Sequence, residues 1–178
     1  MKHDRALRAL VAIDDSQSSV AVLKHLKTRC WPKYIEFLVI SIAEPSETDQ
    51  ISVKRYPLCA YGASPLVRLH FLTELVEYSA AELKEALRSD NIKSIAIEGD
   101  IADSIIKLAS KWYADEIFIG CRDKSDPLLT KRKSVSEKVL QGANCSVTIV
   151  KQRAVGRKAL SREQAEQSDN FIEVDCCK

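Results

Sequence analysis

Three groups of residues in this 178-residue chain have types and spacings that could do chemistry. Asp14 and Asp15 close an apolar run and lead into Ser16, Ser18 and Ser19. Carboxylates and hydroxyls so placed fold back on backbone amides, as turn acceptors or helix caps. Gly120 closes a second apolar run and opens a stretch with Lys124, Lys131, Arg132 and Lys133, cations that attract phosphate or another anion. Cys176 and Cys177 form a vicinal thiol pair that could answer to oxidants or take up metal, although no neighbour stands out to lower their pKa. The six cysteines (Cys30, Cys59, Cys121, Cys145, Cys176, Cys177) do not repeat as CxxC pairs, so free thiols are expected rather than a structural zinc site. Cys145 borders a predicted strand and is expected to be a small buried residue. His25 and His70 lack metal-ligand spacing to a partner, and packing or surface roles are expected for both. No nucleophile, base and orienting group occur as a set, so the residues make no case for an enzyme.

Periodicity shows what must position these groups. Ala6 to Ile13 is a buried strand, and a helix follows from about Ser18 to Thr28, with Ser16, Ser18 and Ser19 as candidate caps. Trp31-Pro32 ends that helix region. Ile35 to Ala43 is nearly continuously apolar, as a central parallel strand covered on both faces should be. Glu44 to Ala63 has no clear period, and a connection of that length is usually functional or mobile. Pro65 to Leu87 is a long helix with Leu66, Leu69, Leu72, Leu75, Val76, Leu83 and Leu87 on its apolar face. A short strand at Ser94 to Ile97 follows, then a helix capped by Asp100 with core positions Ile101, Ile105, Leu108 and Ala109. Glu116 to Gly120 is a fourth strand. Ser134 to Gln141 is a helix stopped by Gly142, and Val147 to Val150 is a fifth strand.

Strand–helix alternation of this kind predicts right-handed βαβ units, hence a parallel five-stranded sheet with helices on both faces. Ligands of such sheets bind at the carboxyl ends of strands, here Asp14-Asp15, Ile42-Ala43, Gly99 and Gly120. Residues 1–151 form the predicted domain, and 152–178 a polar, largely disordered tail with transient helix near Leu160 to Gln167. The net charge of +2 gives no general affinity for nucleic acid, and Lys131-Arg132-Lys133 reads as a solvated face. The longest apolar stretch, Phe37 to Ala43, is too short to cross a bilayer, and no secretory signal is seen, so a cytoplasmic protein without a membrane partner is expected.

VAIDDSQSS (Val11 to Ser19), GDIADSIIKLASKWYADEIFIG (Gly99 to Gly120) and SVSEKVLQGANCSVTIV (Ser134 to Val150) together resemble the universal stress protein family. The resemblance covers about residues 7–151. It implies a universal stress protein A-like domain of the Rossmann-like, adenine nucleotide alpha hydrolase-like α/β class. It also implies a homodimer in which the last strand, Val147, Thr148, Ile149 and Val150, pairs across the two-fold. Left unpaired, that strand would be an exposed apolar edge; the alternative is that the tail folds back over it.

Nucleotide-binding members of that family carry a glycine, two residues, a glycine, nine residues, then Gly-Ser or Gly-Thr. This chain keeps the spacing, but only Gly120 of the three glycines remains; Asp123 and Lys133 replace the others, the latter before Ser134. A carboxylate about 5 Å from one phosphate charge costs about 3 kcal/mol at an effective dielectric near 20, or about two orders of magnitude in affinity. The resemblance implies phosphate contacts at Ser134, Val135 and Ser136, a ribose or adenine contact at Asp14, and Ile42 beside an adenine ring. The residues themselves read equally as a helix cap and first turn, a turn carboxylate and a core isoleucine.

Two accounts stay open. In one, ATP binding is lost or weak and the chain is a non-catalytic homodimeric binding or regulatory module of a stress response, with an unknown protein partner and no cofactor. In the other, Asp123 faces solvent or holds a divalent metal, the basic residues grip a small anionic ligand, and the chain is an ATP/AMP-binding switch, with magnesium and slow or no hydrolysis. A redox-responsive tail is a third, weaker idea.

Overall fold

The computed structural model describes residues 5–44, 65–121 and 134–151. The long connection after Glu44, the loop with Asp123, Lys124, Lys131, Arg132 and Lys133, and the tail with Cys176 and Cys177 lie outside the described residues.

Five strands and four helices alternate: β1 (Leu7–Ala12), α1 (Gln17–Thr28), β2 (Ile35–Ala43), α2 (Pro65–Leu87), β3 (Ile92–Glu98), α3 (Ile101–Trp112), β4 (Glu116–Cys121), α4 (Val135–Gly142) and β5 (Ser146–Lys151). The sheet is parallel throughout and ordered β3-β2-β1-β4-β5. The two strands flanking the middle, β2 and β4, and β1 itself supply most of the buried strand residues. Their near-continuous apolar sequences follow from burial on both faces.

Successive side chains leave opposite faces of the sheet and enter two cores. Ala9, Val11, Phe37, Val39 and Phe118 pack with Val22 and Leu26 of α1 and Val76, Ala80 and Leu83 of α2. Leu10, Ala12, Ile40, Ile42, Ile117 and Ile119 pack with Ala102, Ile105 and Ala109 of α3 and Val139 of α4. Trp31 closes the first core. Its indole N–H donates to the Leu26 carbonyl at 2.8 Å, and its ring meets Phe37 and Phe118 edge-on at 5.1 and 5.6 Å.

The structure corrects several sequence-based expectations. Ser16 occupies the N-cap position of α1, but its hydroxyl makes no cap bond and turns to Asp14 instead. Leu66 is 78% exposed, six residues before Leu72, the first buried side chain of α2. The third strand, Ile92–Glu98, is longer than Ser94 to Ile97, because exposed Lys93 and Glu98 on either side hide the strand signal. Gly142 is the last residue of α4 rather than a left-handed stop, and Ala143 follows at φ −75°. Space explains that glycine: a Cβ would lie 2.6 Å from Ile106 Cδ1. Cys145 is half-buried rather than buried.

Candidate functional site

Strand order reverses at β1. The chain moves outward from β1 to β2 and β3, while β4 and β5 lie on its other side. In open parallel sheets the crevice at this reversal, outside the carboxyl ends, is where ligands bind. Here it is bounded by the turn after β1, by Gly120 and Cys121 ending β4, and by the starts of α1 and α4, which flank the sheet from opposite faces.

Serine donors build the first wall. Asp14 Oδ1 accepts from the Ser16 amide at 3.1 Å, from the Ser16 hydroxyl, and from the Ser19 hydroxyl at 2.6 Å. The Asp14 amide donates to Ser19 Oγ at 2.8 Å, closing a ring. Ser18 Oγ lies 2.6 Å from Ser16 Oγ, extending the network toward β4. Ser18 and Ser19 are buried although they are hydroxyl residues in a helix's first turns. Sequence reading treated these serines as alternative caps. Their common service to Asp14 was signalled only by hydroxyls two and five positions after a carboxylate.

Gly120 abuts this wall. A Cβ there would stand 2.7 Å from Ser18 Cβ and 3.0 Å from the Ser18 backbone carbon, so no larger residue fits without moving α1. The glycine is required by this close approach of helix to strand. Ile42 is buried in the second core, with 5% of its surface exposed. Beside it, Ala43 accepts from the Gly99 amide at 3.0 Å; Gly99 has φ +153°, and a Cβ would meet Ser104 Oγ at 2.6 Å.

The second wall is the start of α4. Ser134 Oγ accepts from the Glu137 amide at 3.2 Å, and the Ser134 amide donates to Glu137 Oε2 at 3.3 Å, a complete capping box. Ser134 Oγ also lies 3.1 Å from Ser136 Oγ, and Ser136 is buried. Val135 packs against the second core. The first-turn amides of Val135 and Ser136 have no intrahelical carbonyl to take them and sit at the positive end of the helix dipole, which suits an anion. Thus Asp14, Gly120, Ser134, Val135 and Ser136 share the carboxyl end of the sheet, whereas the Ile42 side chain belongs to the core. Among the described residues no group of three His, Cys, Asp or Glu side chains could hold a metal ion, and no helix is long and apolar enough to cross a membrane.

A five-stranded parallel sheet with this order, and two helix starts facing one crevice, defines a Rossmann-like α/β domain. The model of the universal stress protein family matches residues 7–151, and the chain belongs to that family. Solved structures agree on the fold. A universal stress protein in complex with cAMP is 19% identical, with a TM-score of 0.58 over 81% of this chain and 96% of its own. The universal stress protein from Archaeoglobus fulgidus in complex with dAMP is 16% identical, with a TM-score of 0.56 over 81% and 97%. A family member from Burkholderia pseudomallei is 16% identical, with a TM-score of 0.53 over 80% and 94%. No curated protein matches the chain in sequence.

Proposed function

We infer that this chain is a non-catalytic regulatory module of a cytoplasmic stress response. It works as a homodimer through β5, and its binding of ATP is weak or lost. The observation that carries the reading is the state of the crevice. Asp14 is occupied by serine donors of its own chain, and Asp123 and Lys133 stand where the family's phosphate loop has glycines. The dimer is supported by β5, a half-buried strand whose Val147, Thr148, Ile149 and Val150 have, among the described residues, β4 as their one strand neighbour. An edge of this kind is a template for pairing. Titration calorimetry with ATP and magnesium tests the nucleotide half: no heat at tens of micromolar ligand is expected, and low-micromolar affinity overturns it. Light scattering tests the dimer half.

A second reading, a nucleotide-binding switch with slow or no hydrolysis, is favoured by the start of α4, where Ser134, Val135 and Ser136 keep the spacing of the family's phosphate contacts. The relatives solved with cAMP and dAMP are consistent with an adenine nucleotide at such a crevice. This reading expects nucleotide to be released when purified protein is denatured. It fails if none is released and the double substitution Asp123→Gly with Lys133→Gly creates binding.

A further inference from the structure

Helices flank the β5 edge from both faces of the sheet, and they present different side chains to it. On one face α4 packs over β4 and β5, with Ser136 and Val139 buried beneath it. The α carbon of Gly142 points at Ile106, which marks the side of α4 that meets α3. At about 100° per residue, Leu140 lies on the opposite side and faces past β5. It is 54% exposed, whereas Val135 and Val139 of the same helix join the core. On the other face α1 packs over the same two strands. Lys27 pairs with Glu82 and so marks the side of α1 that meets α2. Val20, two turns earlier, shares that side. The side of α1 facing past β5 carries Ala21, His25 and Thr28, and the Thr28 hydroxyl is turned back on carbonyls of its own helix. Among the described residues, Leu140 is therefore the one exposed large aliphatic side chain that flanks this edge.

A strand that pairs edge to edge with its own copy about a two-fold runs antiparallel to it, and the axis stands perpendicular to the sheet. Whatever the register, each face then continues across the axis: α4 comes beside the partner's α4, and α1 beside the partner's α1. Paired strands lie about 4.8 Å apart, so the line midway between β4 and β5 is about 4.8 Å from the axis. Two α4 helices on those lines run about 10 Å apart, close to the spacing of about 8–10 Å at which helices pack. Leu140 sits on the side of each helix that faces the other.

We propose that Leu140 anchors the homodimer: the two copies bury it between paired α4 helices, on one face of the joined sheet. This rests on the homodimer reading, and the test separates the two. Light scattering over a dilution series gives the dimer affinity of the full chain. Leu140→Lys, at a position exposed in the single chain, weakens the dimer by about tenfold or more, because a two-fold counts each substitution twice. Leu140→Met retains the dimer, and Thr28→Lys, on the α1 face, weakens it far less than Leu140→Lys. A wild-type chain that is monomeric at every concentration removes the homodimer reading and the anchor with it. A dimeric wild type with an equally dimeric Leu140→Lys leaves the homodimer standing and overturns the anchor, as does an equal loss in Thr28→Lys. A second measurement does not depend on a disruptive variant. Under reducing conditions, Leu140→Cys is alkylated more slowly at concentrations where the chain is dimeric than where it is monomeric, read at position 140 by tandem mass spectrometry. Tyr78→Cys, on the exposed side of α2, reacts equally at both. A rate at position 140 that does not change with concentration, fast or slow, overturns the proposal.

Discussion

Strand β4 has two unlike ends. At its start, charged groups from several elements converge. Asp115 Oδ2 accepts the Arg8 amide at 2.9 Å, and its other oxygen pairs with Arg5. Glu116 Oε1 accepts from the Thr148 hydroxyl at 2.6 Å and from Arg29 at 3.4 Å, while Arg29 lies over the Trp31 ring at 4.5 Å. Arg8 bridges to Glu36 at 3.1 Å and donates to the Trp112 carbonyl at 3.0 Å. At the other end of β4 there is Gly120 and a wall of serine hydroxyls. One end is tied by charge between elements; the other is kept small so that a helix start can approach the strand. The difference separates a region where charged side chains tie elements together from one where a helix start packs directly on a strand.

The largest expected effect attacks the small end. Gly120→Val drives side-chain atoms into the Ser18 backbone and should destabilise the fold by about 3 kcal/mol, read by urea denaturation. A loss under about 1 kcal/mol would mean that α1 yields easily and the close approach is not a constraint. At the charged end, Asp115→Ala removes the acceptor of a part-buried amide and the partner of Arg5. It should cost about 2 kcal/mol by the same measurement, and Asp115→Asn should recover part of it. Ser134→Ala removes one half of the capping box and should cost about 1 kcal/mol. If that variant also leaves the response to nucleotide unchanged, the serine is a cap and nothing more. The smallest effect is chemical. The thiol of Cys145 ionises above its ordinary value, so at neutral pH less of it is thiolate, and it should alkylate more slowly than a model thiol of ordinary pKa. The rate should rise as pH is raised past that ordinary value, and mass spectrometry of the modified peptide follows it. Equal rates at neutral pH would show that burial and the charges of Asp115 and Glu116 have little hold on the site.

Most elements were legible because their signals are local. β2 and α2 lie where apolar continuity and helical period put them, Ile35–Ala43 and Pro65–Leu87. Asp100 caps α3 as expected, accepting from the Asp103 amide at 3.0 Å. The misses came from geometry that residue type and short spacing do not carry. Leu66 fits the apolar stripe of α2, but nothing in the described structure covers it. Gly142 reads as a helix stop, while its real constraint is Ile106 on a neighbouring helix. Ser16, Ser18 and Ser19 all read as caps, because the pull of Asp14 on their hydroxyls depends on how tightly the turn closes.

For the site, the sequence by itself determined the inventory: a carboxylate after β1, a glycine ending β4, a serine start to α4, and a phosphate-loop spacing with two of three glycines replaced. These follow from residue types and short spacings, which no fold is needed to read. Only the tertiary structure decided that Gly120 abuts Ser18, that the hydroxyls of Ser16 and Ser19 are spent on Asp14, and that the Ile42 side chain belongs to the core. For the serines the physical reason is how tightly the turn after β1 closes; for Gly120 and Ile42 it is strand order. Placing β4 beside β1 brings together groups about a hundred residues apart, and no local propensity encodes which strands become neighbours.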